Sequence, residues 1–280
     1  MSSSDGIEAK DDDLILGTLF VNENNSQSDE NEENEILIKY DTYKRSFINS
    51  SANIYQLTEP SELKLALVQQ HHSLWAEFIY NAARVLADMI EQGEIICYNK
   101  SCLELGAGAG LPGLIAGLNG AKLSVISDYG NTSDTSLLRA IDINIEHMSQ
   151  YIPSSASTTS NTTHTIYRSI PYIFGNNVQD ILDLNNGQNY DLLFLADLLF
   201  NRSEHNKLLY TISKVLKPVT GVAWITFSHH DPHKVSMRCI CYIVYIHAYI
   251  CSPTCIHMIA ILYTILYIIL IYTLYRRPKT

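Results

Sequence analysis

Apolar residues recur at helical spacing in four stretches of the chain, which are 74–91, 111–119, 134–148 and 203–216. Residues three and four apart share a helix face, so this spacing predicts amphipathic helices. On the first helix the apolar stripe consists of Trp75, Phe78, Ala82, Val85, Leu86 and Met89. Ser203 and Asn206 predict a capping pair at the start of the last helix.

Short apolar runs predict five buried strands between these helices. The first strand is predicted at the start of the segment 100–113, before its glycine-rich turn. The other four are predicted over 121–128, 165–170, 190–197 and 221–227. Strands that alternate with helices favour a mostly parallel sheet covered on both faces, so we predict an α/β, Rossmann-like doubly wound fold. Ligands of such sheets bind beyond the carboxyl ends of the strands. Asp128 and Asp197 both fall at predicted strand ends, which makes that edge the candidate site.

A glycine-rich turn follows the first predicted strand, with Gly106, Gly108, Gly110 and Gly113 after Glu104. Bare backbone at such a turn lets amide groups approach a ligand, although a plain tight turn has the same pattern. Asp128 follows about twenty residues later, where a carboxylate can bind two ribose hydroxyls or simply cap the next helix. The pair therefore predicts an adenosine ligand without distinguishing NAD from S-adenosylmethionine.

Composition narrows the class of protein. Of 280 residues, 46% are hydrophobic and 17% are charged, which is typical of a folded core. A formal charge of −10 argues against a nucleic-acid partner, because phosphate contacts need clustered Lys and Arg. Acidic residues crowd the stretch 5–35, so we expect 1–58 to form an acidic, largely disordered tail, with or without a basic partner.

Cysteines and the start of the sequence suggest a reduced, cytoplasmic protein. Cys97 and Cys102 look like core residues, and no secretory signal pattern opens the chain. Four further cysteines follow near the end, and these are Cys239, Cys241, Cys251 and Cys255. Their spacing fits no common zinc site, so we predict no metal.

Three segments carry a resemblance to a known family: SLWAEFIYNAARVLADMIE, CLELGAGAGLPGLIAGLNGAKLSVISDY, and YDLLFLADLLFNRSEHNKLLYTISKVLK with the later ITFSHHDP. Over residues 60–235 the chain resembles the seven-stranded S-adenosylmethionine-dependent protein methyltransferases, in the branch that acts on lysines and N-termini. The resemblance implies a methyltransferase domain over 59–235 with S-adenosylmethionine as cofactor. It also implies a protein substrate with a basic N-terminal segment, namely translation elongation factor 1-alpha.

The resemblance also implies roles for particular residues. Those implied to contact the cofactor are Trp75, Gly106, Ala107, Gly108, Asp128, Phe174 and Ala196. Phe174 stands where the family has Trp beside the adenine, and an aromatic face is kept. Trp75 and Phe174 are also compatible with ordinary core aromatics. Asp197 and Phe200, in DLLF, would border the opening for the target amine, which Asp197 would orient without acting as a general base.

Two questions stay open at the sequence level. A small-molecule, nicotinamide-like N-methyltransferase or an inactive adenosine-binding module would use the same cofactor site. After His233 the family pattern stops, and 258–275 carries no charge before Arg276 and Arg277. The stretch 236–280 is then either a membrane anchor or a non-native ending. With the usual last strands missing or replaced, a five-stranded sheet with an unpaired edge is expected.

Overall fold

The computed structural model describes residues 38–45, 60–69, 77–130, 135–151, 165–227 and 242–247. The strands are β1 Ile38–Lys44, β2 Glu62–Val68, β3 Ser101–Leu105, β4 Leu123–Asp128, β5 Ile166–Pro171, β6 Leu192–Ala196, β7 Val222–Phe227 and β8 Tyr242–His247. The helices are α1 Asn81–Glu91, α2 Leu111–Leu118, α3 Ser136–Ser149, α4 Gln179–Asp183 and α5 His205–Val215.

A six-stranded sheet in the order β5-β4-β3-β6-β7-β8 organises the fold. Its first five strands are parallel, which confirms the α/β, doubly wound prediction. Successive residues of β3 enter different cores: Cys102 packs with α1, α2 and α3, whereas Leu103 packs with α4 and α5. Strand order reverses between β3 and β6, so a crevice opens there at the carboxyl ends of the strands.

The first helix begins later than its apolar spacing predicts. α1 starts at Asn81, and Tyr80 before it has extended backbone with ψ of 150°. Phe78, predicted on the buried stripe, is 54% exposed, and its neighbour Ile79 is buried instead. The described residues 77–80 therefore do not belong to α1, and the helical spacing does not apply to Phe78.

The predicted capping pair at the last helix is wrong. Residues Arg202–Glu204 form a 3₁₀ turn, and α5 starts only at His205. The side chain of Asn201 accepts hydrogen bonds from the Ser203 amide at 3.1 Å and from the Ser203 hydroxyl at 2.7 Å. Asn201 thus caps the entry to this segment, because its short amide side chain reaches the amide two residues on.

An antiparallel hairpin of β1 and β2 lies partly inside the segment expected to be disordered. Its register pairs Tyr40 with Ala66, and Tyr43 is buried. The expectation of a tail over 1–58 is therefore wrong for residues 38–44. The acidic stretch 5–35 lies outside the described residues.

The sheet does not end at β7 as expected. β8 pairs antiparallel with β7 and places Val222 opposite His247, so the edge of β7 is covered. Among the residues described, no helix has the length and apolar character needed to cross a bilayer. The uncharged stretch 258–275 and the four late cysteines lie outside the described residues.

A buried ion pair fastens the hairpin to the helical layer. Glu91 Oε1 accepts hydrogen bonds from Arg45 Nε at 3.1 Å and Arg45 Nη2 at 2.8 Å. The same oxygen accepts a bond from Asn119 Nδ2 at 3.0 Å. Three element ends therefore meet at one carboxylate, those of β1, α1 and α2.

Removing the cation should destabilise the fold strongly, because Glu91 would stay buried without its counter-ion. We expect Arg45→Met to lower the free energy of unfolding by about 3–5 kcal/mol, measured by urea unfolding. Lys44→Met is the matched control, because the Lys44–Glu62 pair is exposed and spans 3.5 Å. Equal losses in the two variants would contradict this account.

Candidate active site

The glycine turn after β3 is held against the end of β4. Gly106, Gly108 and Gly110 have positive φ angles of 59°, 55° and 76°, a region that glycine enters without a Cβ clash. The Gly108 amide donates to Asp128 Oδ2 at 2.5 Å, and the Ala107 amide donates to a carbonyl of β4 at 3.1 Å. The structure thus brings together the turn and the acid that the sequence singles out.

Space over this turn differs from one glycine to the next. A Cβ added at Gly108 would meet no heavy atom within 4 Å. A Cβ at Gly106 would lie 2.6 Å from Leu198 Cδ2 and 3.3 Å from Phe174 Cζ. The backbone of Gly108 therefore faces open space, whereas Gly106 packs directly against side chains from across the crevice.

Phe174, in the segment after β5, and Leu198, in the segment after β6, both reach the glycine turn. Phe174 is partly buried against the core under α5, and its ring approaches Gly106 as described above. Leu198 was not singled out from the sequence, because a Leu within an apolar run carries no chemical signal. Ala196 ends β6 beside them and is partly buried.

Asp197 stands in an unusual conformation directly after β6. Its φ of 59° is in the left-handed region, which costs a non-glycine residue about 1–3 kcal/mol. The residue is 7% exposed, and its amide donates to the Thr226 carbonyl at 2.8 Å. Strain of this kind concentrates at functional sites, which supports a role for this carboxylate.

The start of α1 lies beside Asp197, and it contributes Tyr80, which sequence reasoning missed. Thr226 Oγ1 donates to the Ala82 carbonyl at 2.9 Å, which fixes α1 over the ends of β6 and β7. Burial raises the pKa of Tyr80, and the charges of Asp197 and Glu77 raise it further. Its hydroxyl therefore stays protonated between two acids. A tyrosine within an apolar helix pattern gives no signal of this role.

Solvent-exposed aromatic side chains lie close to Tyr80 and Asp197 along the chain. The Phe78 and Tyr80 rings meet edge to face with centroids 6.4 Å apart, and Lys39 Nζ lies 4.5 Å from the Phe78 centroid. Phe200 follows Asp197 by three residues and is 55% exposed. Trp75, predicted to close over the cofactor, lies outside the described residues.

Glu104 lies buried beneath the glycine turn. Its Oε2 accepts a hydrogen bond from the Gly113 amide at 2.7 Å, while Oε1 has no partner among the described residues. Burial raises the pKa of Glu104 well above its usual 4.5. The hydrogen bond from the Gly113 amide lowers this pKa in part, and the charge of Asp128 raises it. The raised pKa favours the protonated form of Glu104, whose Oε2 holds the start of α2 through the Gly113 amide. In the described part of the chain, no three potential metal ligands cluster.

The structure brings a bare glycine turn, Asp128 and Asp197 to the carboxyl edge of the sheet, and comparison with known proteins identifies the family. The lysine methyltransferase family model matches residues 59–238, which is more than half of the chain. The chain belongs to the lysine methyltransferase family.

Curated relatives in this family are named protein N-terminal and lysine N-methyltransferases. The Schizosaccharomyces pombe protein is 34% identical over 62% of this chain and 64% of its own length. The Yarrowia lipolytica protein is 31% identical over 68% and 69%, and the Candida glabrata protein 36% over 62% and 62%. The chain thus spans about two thirds of the relatives that it matches, and less than that for two of these three.

Among solved structures, phosphoethanolamine N-methyltransferase 1 of Haemonchus contortus, in complex with phosphoethanolamine and S-adenosylhomocysteine, is 15% identical. The match covers 56% of this chain and 28% of that one, with a TM-score of 0.38. A TM-score this low gives no support for a shared function.

The buried acid under the turn should give the protein a measurable pH dependence. Glu104 binds its proton more tightly when folded, so its contribution is fully present below about pH 4.5 and is lost as pH rises through the folded pKa. Glu104→Gln keeps an acceptor for the Gly113 amide and has no proton to lose. Its stability relative to the wild type should therefore rise with pH, by at most about 1.4 kcal/mol per pH unit.

Urea unfolding of both proteins between about pH 5 and about pH 8 measures this difference. Two stability curves that run parallel across the range would show that Glu104 is ionised in the folded state.

Proposed function

We propose that this protein is an S-adenosylmethionine-dependent methyltransferase of the cytoplasm that methylates an N-terminal amine, a lysine, or both, on a protein. Family membership supports the reaction, and the names of the curated relatives support both kinds of amine. Translation elongation factor 1-alpha is the proposed substrate, by the resemblance of residues 60–235. Buried free thiols at Cys97 and Cys102 are compatible with a reducing compartment.

The observation that carries the proposal is the pairing of open, bare backbone at Gly108 with the Asp128 carboxylate. Two amides, those of Gly108 and Tyr129, already donate to Asp128 at 2.5 and 2.6 Å. A carboxylate at the end of the second parallel strand is the kind of acceptor that binds ribose hydroxyls in nucleotide sites. The residues present therefore fit an adenosine-bearing cofactor.

We assign the remaining cofactor contacts to residues around the turn. Gly106, Ala107 and Gly108 would line the methionine part, Phe174 would face the adenine, and Ala196 would lie along the cofactor. Trp75 is kept as a proposed contact by resemblance. The bound cofactor supplies an electrophilic methyl group on its sulfonium, so the protein has to provide alignment rather than activation. Alignment of this kind contributes about 7–11 kcal/mol.

Asp197 and Phe200 are the proposed acceptor side, joined by Tyr80. The attacking amine must lose its proton before transfer. Burial among aromatic side chains lowers the pKa of an ammonium group, whereas nearby acids raise it and favour its binding as a cation. The Asp197 carboxylate would then accept a hydrogen bond from the amine and point its lone pair towards the methyl group. Glu77 adds a second acid near Tyr80. Two acids favour arrival of a cationic amine over a neutral pyridine such as nicotinamide.

Residues 59–235 are the proposed methyltransferase domain, and the structure argues for extending it towards the N-terminus. β2 lies inside that range, but its partner β1 begins at Ile38. Because Tyr43 of β1 and Arg45, which follows β1 directly, both contact α1, we include β1 in the domain.

Cofactor binding is tested by filling the open space over the turn. Gly108→Ala should weaken S-adenosylhomocysteine binding at least about tenfold by calorimetry, because its methyl group would occupy the ligand volume. Gly187→Ala is the matched control, since Gly187 has a φ of 73° and also meets no atom within 4 Å. Each change should cost about 1–2 kcal/mol of stability through the left-handed backbone. Loss of affinity in both, or in neither, would argue against the proposed cradle.

Methyl transfer is tested with labelled S-adenosylmethionine and a peptide of the elongation factor 1-alpha N-terminus. Asp197→Asn and Tyr80→Phe should each lower kcat for the peptide at least about tenfold and leave S-adenosylhomocysteine affinity within about twofold. Asn tolerates the left-handed backbone of Asp197, so the fold is spared. Tyr210→Phe, at an exposed tyrosine of α5, is the control.

The distribution of label separates the alternatives. Label on nicotinamide but not on peptide would replace a protein substrate by a small amine. Cofactor binding with no labelled product would indicate an inactive adenosine-binding module.

A further inference from the structure

Asn144, a fully buried residue of α3, connects three separate parts of the molecule. Its Oδ1 accepts a hydrogen bond from the Ala66 amide at 2.6 Å. Its Nδ2 donates to the Ala66 carbonyl and to the Ala109 carbonyl, each at 3.0 Å. One side-chain amide therefore joins α3, strand β2 and the glycine turn.

At Ala66, the Asn144 side chain takes the place of a neighbouring strand. Tyr40 of β1 is the register partner of Ala66 on one side of β2. On the other side the Ala66 N–H and C=O both bond to Asn144, which blunts an otherwise unpaired strand edge. This edge cannot move without breaking a pair of buried hydrogen bonds.

At Ala109, the same amide holds the turn proposed to cradle the cofactor. Ala109 lies between Gly108, which faces open space, and Gly110, which opens α2. The Gly108 amide is fixed by Asp128 from the β4 side. Asn144 fixes the next residue from the α3 side, so the turn is clamped between two side chains.

We propose that Asn144 is a positioning residue that couples seating of the β1–β2 hairpin to cofactor affinity. The hairpin is joined to the glycine turn through this amide, so displacement of β2 releases the Ala109 carbonyl. Coupling between two sites is reciprocal, so a bound cofactor must also hold the hairpin in place. This inference rests on the proposed cofactor site and assigns that site a second structural support.

A merely structural role for Asn144 predicts a different outcome. Loss of a buried amide lowers stability wherever it occurs, but it changes ligand affinity only when it shapes the ligand site. Asn185 supplies the comparison, because it is a buried Asn whose Nδ2 donates to the Gln188 and Asn189 carbonyls at 2.9 and 3.1 Å. It lies before β6, at the opposite end of the strands from the glycine turn.

The test measures S-adenosylhomocysteine affinity by calorimetry on folded protein, well below each midpoint of thermal unfolding. Asn144→Ala should bind about three- to tenfold more weakly than the wild type, the effect of one or two lost buried hydrogen bonds. Asn185→Ala should lose thermal stability similarly and bind within about twofold of the wild type. If the alanine variant does not fold, Asn144→Asp replaces it in the affinity measurement, because aspartate keeps an acceptor for the Ala66 amide.

Hydrogen exchange gives the reciprocal readout without any turnover. In the wild type, S-adenosylhomocysteine should slow exchange of the amides in residues 62–68, and in Asn144→Ala this protection should disappear. Unchanged affinity and unchanged protection in the Asn144 variants would overturn the coupling and leave the proposed function standing. A wild-type protein without affinity for the ligand would overturn the proposed function itself, and this inference with it.

Discussion

The hydrogen bond from the Gly108 amide to Asp128 is the contact on which the site depends. It joins the ends of β3 and β4 at 2.5 Å, and it requires the left-handed backbone that glycine supplies on either side. With the turn fixed, Gly106 packs against Leu198 and Phe174 from across the switch point. The parallel register of the sheet therefore brings the glycine turn, the Asp128 carboxylate and the apolar side chains of Leu198 and Phe174 together at one edge.

Sequence patterns predicted the parts of this edge whose chemistry is local. A glycine-rich turn after an apolar run, and acids that close two other runs, predicted Gly108, Asp128 and Asp197 at the carboxyl edge of a mostly parallel sheet. The hairpin was missed because β1, IKYDTYK, interleaves charges with apolar residues beside an acidic stretch. Asn144 was missed because a polar residue in an amphipathic helix normally faces water, and its partner Ala66 is 78 residues away. Tyr80 was missed because nothing local distinguishes a core aromatic from one next to an acid.

Several acidic side chains lie at or near the carboxyl edge of the sheet, and each has different surroundings. Glu104 is buried under the turn with a pKa well above its usual value, so its neutral form contributes a hydrogen bond without a charge. Asp128 accepts hydrogen bonds from two backbone amides, those of Gly108 and Tyr129. Burial raises the pKa of Tyr80, and the charges of Asp197 and Glu77 raise it further, so two acids lie near the proposed acceptor side. A sulfonium and an arriving ammonium are both cations, so one negative edge suits the two partners of methyl transfer.

The hairpin touches both halves of this edge, although it lies outside the sheet. From β2 it reaches the cofactor side through Asn144 and Ala109. From β1 it reaches α1, where the Tyr43 hydroxyl donates to Asp88 at 2.7 Å and Arg84 pairs with Asp41 at 2.7 Å. α1 in turn begins at Tyr80, beside Asp197. The same antiparallel pair is thus hydrogen-bonded to α1 directly and to the glycine turn through Asn144. The element hardest to recognise in the sequence is therefore the one that contacts both parts of the proposed site.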